Sequence, residues 1–152
     1  MKIKIHIILT ALLLTLSCSC TQNDGDIGIF FGTWANTSFT IDGEAAPDFD
    51  TNTTTWNFQS NIIMICKSDE YHQGTRRYGT WKDLGDRLQF DFSHSDAATE
   101  AGTSVYAAPE WLDFPKNTTF EFRYVEKSGR RIVLERTGDN GIKYTYTLNK
   151  TW

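Results

Sequence analysis

Cysteine is scarce in this sequence, and its scarcity limits how the fold can be stabilised. Of the three cysteines in 152 residues, Cys18 and Cys20 lie near the N-terminus, which leaves Cys66 alone in the rest of the chain. A single cysteine cannot form an internal disulfide, so an apolar core has to hold the domain together. Histidine is equally scarce, and His72 and His94 together with Cys66 show no zinc-ligand spacing. We therefore expect no metal and no cofactor.

An excess of positive charge is also absent. The formal net charge is −4, and Lys2 and Lys4 lie in an N-terminal segment that we expect to be removed. A domain this acidic has no electrostatic attraction to the phosphate backbone of DNA or RNA. We therefore expect no nucleic-acid partner.

A recognisable set of catalytic residues is lacking as well. Cys66 would need a neighbouring base to act as a nucleophile, and no spacing couples it to His72 or His94. The acidic side chains concentrate in predicted turns, where carboxylates are common because they bond to the local backbone. We expect that the protein is not an enzyme, and we interpret Cys66 as a small apolar residue in a core strand.

Long apolar runs are absent, and the one apolar stretch at the N-terminus is short. Residues 5–16 are mostly Ile and Leu and follow a short basic segment. This stretch is too short to span a bilayer and has the length and flanks of a secretory signal peptide. The cysteine of the following Leu-Ser-Cys sequence resembles that of the bacterial lipobox, which is acylated and becomes the mature N-terminus. We predict a signal peptide over residues 1–17 and lipid attachment at Cys18, with Cys20 as the alternative.

The segment after this cysteine differs in composition from the rest of the chain. Residues 18–28 are polar, contain glycine and lack apolar periodicity, which predicts a flexible tether. Asp24 and Asp26 in this segment resemble the export signal of Bacteroidetes surface lipoproteins. The two resemblances imply a protein that an N-terminal lipid anchors to the bacterial outer membrane. They leave open whether it lies on the periplasmic face or on the cell surface.

The sequence is rich in strands that alternate apolar and polar residues. Leu88, Phe90 and Phe92 alternate with polar residues, which is typical of a sheet with one buried face. Short turns with Gly, Asn and Asp join most strands, and eight strands joined as neighbours leave two open edges unless the sheet closes. We predict an all-β domain over residues 29–152, an eight-stranded antiparallel up-and-down β-barrel. Its strands are expected at residues 29–41, 53–58, 62–66, 76–82, 87–93, 119–124, 132–134 and 143–149.

One connection, residues 94–117, interrupts this rhythm. Within it, residues 107–115 predict one short helical turn, with Pro109 at its first position. The loop also carries Tyr106, Trp111 and Phe114, and large apolar side chains in a loop either pack onto the domain or contact a ligand. Two interpretations stay open: a plug that closes one barrel end, or a lid over a binding mouth with Trp111 facing the ligand.

Two Gly-Thr-Trp sequences occur, ending at Trp34 and Trp81. A tryptophan needs a deep site with a partner for its indole N–H, and the glycine beside it lets a backbone or ring approach closely. Together with the Tyr-Thr-Tyr-Thr-Leu sequence at residues 144–148, they resemble the lipocalin-like (calycin-type) lipoproteins of Bacteroidetes over residues 28–150. The resemblance implies that Gly32 and Trp34 close the barrel floor. The chain lacks the C-terminal helix and the disulfides of true lipocalins.

An eight-stranded barrel is wide enough either to be filled by side chains or to hold one small ligand. The first hypothesis is a lipid-anchored, monomeric binding module that holds a small apolar ligand at the barrel mouth. Its candidate ligand or lid residues are Tyr106, Trp111, Phe114 and Trp81. The alternative is a structural or protein-interaction envelope lipoprotein with a filled barrel and no ligand. The rings expected to point inward are Trp34, Trp56, Phe58, Trp81, Phe90, Phe122 and Tyr146.

Overall fold

The computed structural model describes residues 28–51, 53–69, 73–93 and 106–151. The predicted signal peptide, Cys18, Cys20, His72 and His94 lie outside these ranges. Two 3₁₀ turns, Gly28–Phe30 and Glu110–Leu112, are present in the described residues. The strands are β1 (Thr33–Ile41), β2 (Glu44–Ala45), β3 (Thr54–Gln59), β4 (Ile62–Ser68), β5 (Gly74–Asp83), β6 (Arg87–Asp91), β7 (Thr119–Lys127), β8 (Arg131–Thr137) and β9 (Lys143–Lys150).

The strands form one closed antiparallel barrel. From β3 to β9 each strand pairs with the next, β1 pairs with β3, and β1 also pairs with β9, which closes the sheet. The two-residue β2 pairs only with the end of β1 and is an appendage to the eight barrel strands. The predicted eight-stranded up-and-down barrel is confirmed. No helix among the described residues is long and apolar enough to cross a membrane.

The helical turn in the long loop is shorter than its sequence suggests. A turn was expected within residues 107–115, and the structure has a 3₁₀ turn at Glu110–Leu112. Pro109, expected at the first helical position, is instead the residue that precedes the turn, with extended backbone angles. Asp113 ends the turn in the left-handed conformation (φ 51°). The chain therefore turns sharply before Phe114.

The barrel has two different ends. We call the end with the start of β1 and the end of β9 the floor end; the short turns after β3, β5 and β7 lie there too. We call the opposite end the mouth end. It holds the connections after β1, β4, β6 and β8, of which the one between β6 and β7 is the longest. The two ends therefore offer different surfaces, one compact and one rich in loops.

Aromatic rings fill the centre of the barrel. The Trp56 ring centre lies 5.6 Å from that of Phe90 and 6.1 Å from that of Tyr146. Rings at such separations are in packing contact, and close-packed interiors leave few voids larger than a water molecule. The seven rings that the alternation assigned to the interior are all buried: Trp34, Trp56, Phe58, Trp81, Phe90, Phe122 and Tyr146.

The two Gly-Thr-Trp sequences need glycine for different reasons. At Gly32, just before β1, the backbone has φ 111°, a conformation that residues with a side chain rarely adopt. At Gly79, in the middle of β5, a Cβ atom would lie 2.7 Å from the Phe92 ring and from the Asp91 carbonyl oxygen. The sequence predicts that a ring packs closely against one of these glycines. The structure shows this contact at Gly79.

Candidate functional site

The floor end is closed around Trp34. Its ring is fully buried, and its indole N–H donates a hydrogen bond of 3.0 Å to the carbonyl oxygen of Phe30. Phe30 itself packs against Phe58 and Trp81, with 4.9 Å between ring centres in both pairs. The Lys150 ammonium lies 5.4 Å from the centre of the Trp34 ring. The first 3₁₀ turn therefore holds Phe30 across the floor, where it covers the rings beneath it.

The four candidate ligand or lid residues do not gather at one place. Trp81 packs with Phe30 at the floor end, and the other three lie toward the mouth end. The Tyr106 ring contacts Tyr78 on the outward-facing side of β5, with 5.6 Å between ring centres. Trp111 is partly buried, whereas Phe114 is almost completely enclosed in the barrel. These rings therefore do not form a single aromatic site.

The described part of the long loop packs into the mouth end. Leu112 is fully buried, and its carbonyl oxygen accepts a hydrogen bond of 2.7 Å from the Tyr146 hydroxyl. Burial raises the pKa of Tyr146, so this hydroxyl keeps its proton and remains a donor. Phe114 lies within contact distance of six rings. These are Trp56, Phe90, Phe92, Phe120, Phe122 and Tyr146.

The barrel wall is split between β7 and β8 at the mouth end. The ladder between these strands ends at the Arg123–Glu135 pair, although β7 continues to Thr119 and β8 to Thr137. Beyond that point β7 pairs only with β6, and β8 pairs only with β9. An opening therefore exists where two neighbouring strands diverge.

A cavity of about 530 Å³ lies at this split. It is bounded by the start of β7, the end of β8, the turn after β8 and the residues that follow the second 3₁₀ turn. A smaller cleft of about 280 Å³ shares Glu121, Arg136 and Thr137 with it and reaches Arg87 and Arg123. The residues that line the larger cavity are Asp113, Pro115, Thr118, Thr119, Phe120, Glu121, Arg136, Thr137, Gly138, Asp139, Asn140 and Tyr144.

Arg136 is the buried charge of this cavity. Only 8% of the residue is exposed, and one terminal guanidinium nitrogen donates to the carbonyl oxygen of Asp113. The guanidinium carbon lies 4.0 Å from the centre of the Tyr144 ring and 6.0 Å from that of Phe120. The buried Nε atom has no hydrogen-bond partner in the described residues. Arg136 therefore lines the cavity and keeps one buried donor unsatisfied.

The acidic residues of the cavity do not neutralise Arg136 directly. Glu121 accepts a hydrogen bond of 3.0 Å from Arg87 and one of 3.2 Å from Gln89. Among the described residues, no carboxylate lies within ion-pair distance of the Arg136 guanidinium, which donates instead to the backbone carbonyl oxygen of Asp113. An oxygen acceptor in the cavity would therefore displace no ion pair of the Arg136 guanidinium.

Trp111 has a separate environment, on the β5 side of the mouth end. The guanidinium of Arg77 lies 6.0 Å from the centre of its ring and pairs with Glu110 at 3.1 Å. The indole N–H of Trp111 is buried without a hydrogen-bond partner in the described structure. Trp111 does not line the cavity beside Arg136, so the two features are distinct.

The solved structures that resemble this chain include two from Bacteroides. A lipocalin-like protein from Bacteroides uniformis ATCC 8492 superposes with a TM-score of 0.54 at 16% identity, covering 81% of this chain and 99% of the other. An uncharacterized protein from Bacteroides eggerthii DSM 20697 gives a TM-score of 0.51 at 15% identity, covering 78% and 98%. This chain has a lipocalin-like fold. No protein-family model and no curated protein matches its sequence.

The cavity residues of this lipocalin-like barrel were missed by the sequence analysis. Ile132, Leu134 and Arg136 share one face of β8, and the first two are fully buried. Arg136 continues the alternation of Ile132 and Leu134 along β8. This pattern alone predicts that its side chain lies on the inner face of the barrel. Phe120 and Tyr144 lie within predicted strands, and nothing in the sequence marks them as cavity residues.

The structure of the lipocalin-like barrel also shows where Cys66 and the possible metal ligands lie. Cys66 was expected in the core, but its side chain is only partly buried, because it alternates with the buried Ile63 and Ile65 and faces outward. Within the described residues, no group of three His, Cys, Asp or Glu side chains is placed to hold a metal ion.

Proposed function

We propose that this chain is a lipid-anchored, lipocalin-like binding protein of the bacterial outer membrane that holds a small molecule at its mouth end. The observation that carries the proposal is the cavity of about 530 Å³ beside Arg136. Ligand pockets commonly enclose roughly 300–1,000 Å³, so the volume suits one small ligand. Arg136 lines this cavity, and its guanidinium is a charged donor suited to an oxygen acceptor on a ligand.

The lining of the cavity favours a ligand that is only partly apolar. Phe120 and Tyr144 offer ring surface to an apolar or aromatic body. Arg136 offers a charged donor to an oxygen acceptor, which is a carbonyl, carboxylate or similar group. The ligand expected from the sequence was simply apolar; the cavity adds the requirement for an acceptor at one end of the molecule.

The binding function is tested by replacing Arg136 with methionine. Methionine keeps most of the apolar volume and removes the donor, so the cavity should persist while the acceptor loses its partner. We expect the Arg136→Met variant to bind 1-anilinonaphthalene-8-sulfonate, which has an aromatic body and an anionic acceptor, about tenfold more weakly, the equivalent of about 1.4 kcal/mol. Titration of the probe's fluorescence measures the dissociation constant.

The matched control is Arg76→Met, because Arg76 is an exposed arginine on β5, three strands away from β8, and does not line the cavity. Denaturant unfolding of the wild type, Arg136→Met and Arg76→Met checks that all three proteins are folded. Equal affinity of Arg136→Met and the wild type, or no binding by the wild type, contradicts the proposal. Native mass spectrometry of the protein from its own membrane then identifies a co-purified ligand.

A second function is supported by the packing of the barrel centre. The rings around Trp56 contact one another directly, so the central barrel is built as a solid core. A structural or protein-interaction lipoprotein would need nothing more than such a core and its exposed loops. If the wild type binds no probe and carries no co-purified molecule, this alternative is favoured.

The lipid anchor is tested separately at the two N-terminal cysteines. We expect Cys18→Ala to give an unacylated chain that leaves the membrane fraction, because the acylated residue is lost. Intact-protein mass and membrane fractionation measure both effects, with Cys20→Ala as the control. If Cys20→Ala alone has these effects, the lipid is attached at Cys20. If neither substitution changes mass or fractionation, the chain is not a lipoprotein.

A further inference from the structure

Exposed apolar side chains concentrate at the floor end of the barrel. Phe31 is 62% exposed just before β1, and Leu84 is 40% exposed in the turn after β5. Ile62 begins β4 and is 38% exposed, and Val125 is 53% exposed near the end of β7. Among the described residues, the fifth large apolar side chain with comparable exposure is Tyr106. It packs beside β5, nearer the mouth end. Four of the five exposed large apolar side chains of the described residues therefore lie at one end of the barrel.

The floor end is also basic in a chain that is acidic overall. The acidic groups there are paired: Asp83 with Lys127 at 2.6 Å, Asp86 with Arg87 at 3.5 Å, and Glu126 with Arg131 at 3.4 Å. The basic residues that remain without a carboxylate partner among the described residues are Lys82, Arg130 and Lys150. Within the described residues, the floor end therefore combines apolar side chains with an excess of positive charge, whereas the whole chain has a net charge of −4.

The chain enters the barrel at this same end. The described residues begin at Gly28, and the first 3₁₀ turn holds Phe30 over the floor while the next residue, Phe31, points to solvent. Residues 18–28 span at most about 35–40 Å when fully extended, so a lipid at Cys18 would keep the barrel close to a bilayer without fixing its orientation. A contact from the barrel itself is needed to orient it.

We propose that the floor end lies against the phospholipid bilayer, with Phe31 and Leu84 inserted at its surface and the mouth end facing away. Apolar side chains insert at the boundary of head groups and acyl chains, and basic side chains are attracted to anionic head groups. The proposal rests on the lipid anchor proposed above. It adds that the barrel has a defined orientation, so the split beside Arg136 stays open to the aqueous phase.

The orientation is tested with two single-tryptophan additions. The acylated full-length chain is reconstituted in vesicles of phosphatidylglycerol and phosphatidylethanolamine that contain brominated acyl chains, which quench nearby indole fluorescence. Phe31→Trp adds an exposed indole at the floor end, and Tyr106→Trp is the matched control away from it. We expect the emission added by Phe31→Trp to be reduced by half or more, and that added by Tyr106→Trp to be unchanged.

Every outcome of the quenching experiment either supports or overturns the proposed orientation. Equal quenching of the two variants, or none in Phe31→Trp, overturns the proposed orientation, even when the mass shows that the chain is acylated. If the mass shows no lipid, the anchor itself has failed; the unacylated variants are then mixed with an excess of the same vesicles. Selective quenching of Phe31→Trp in that mixture supports the floor contact without an anchor, and its absence there overturns the floor contact as well.

Discussion

Replacing Trp34 with alanine is expected to lower the free energy of unfolding by about 3–5 kcal/mol. The ring is fully buried, so truncation loses its transfer free energy and leaves a void at the barrel floor. It also removes the donor to the Phe30 carbonyl oxygen, which fixes the first 3₁₀ turn across the floor. Urea denaturation followed by circular dichroism measures the midpoint and its slope.

Trp111→Ala is the control for Trp34→Ala. Trp111 is only partly buried, so its removal should cost clearly less stability than the removal of Trp34. If the two variants have the same midpoint, or if Trp34→Ala unfolds like the wild type, the floor role of Trp34 is wrong. A changed slope would instead show that the two-state comparison does not hold.

Replacing Phe114 with alanine should destabilise the barrel by a similar amount, about 3–5 kcal/mol. Its ring occupies the mouth half of the interior, 5.2 Å from the Phe120 ring centre and 5.4 Å from that of Tyr146. A loop residue that packs this way contributes to the core, and truncating it opens a void between both sides of the barrel. Thermal and denaturant unfolding both report the loss.

Tyr106→Ala is the matched control in the same loop, because Tyr106 is 42% exposed and contacts Tyr78 at the barrel surface. We expect it to change stability by less than about 1 kcal/mol. A lid that only covers a ligand predicts a different result: Phe114→Ala would then retain wild-type stability and lose affinity for the fluorescent probe. That outcome would contradict the plug interpretation of the loop.

The eight barrel strands were predictable because buried residues alternate with exposed ones along most of them. In β6, Leu88 and Phe90 alternate with Gln89 and Asp91, and burial in the structure follows the same period. The two-residue β2 was not predicted, since it is too short to show any period. The boundaries of the 3₁₀ turn were missed because three residues leave no periodic pattern, and Pro109 fits either side of such a boundary.

The cavity could not be predicted, because it depends on register rather than on composition. The ladder between β7 and β8 shifts by one residue between Tyr124 and Glu126, and it ends at Arg123 and Glu135. Bulges of this kind bend a strand and increase its twist, yet no glycine or proline marks this one in the sequence. The alternation along β8 predicts that Arg136 points inward. It does not predict that Arg136 lies beside an opening in the barrel wall.

Closure of the barrel by its first and last strands has a consequence for how the protein is made. Residue pairs such as Trp34 with Lys150 join opposite ends of the described chain, and the Thr151 amide donates to the Thr33 carbonyl oxygen at 2.9 Å. Contacts this distant in sequence form slowly, because the loop entropy is lost before they form. Until β9 is synthesised, β1 keeps one unpaired edge. During that interval the nascent chain is open to pairing with other unfolded chains, and chaperone protection is needed most.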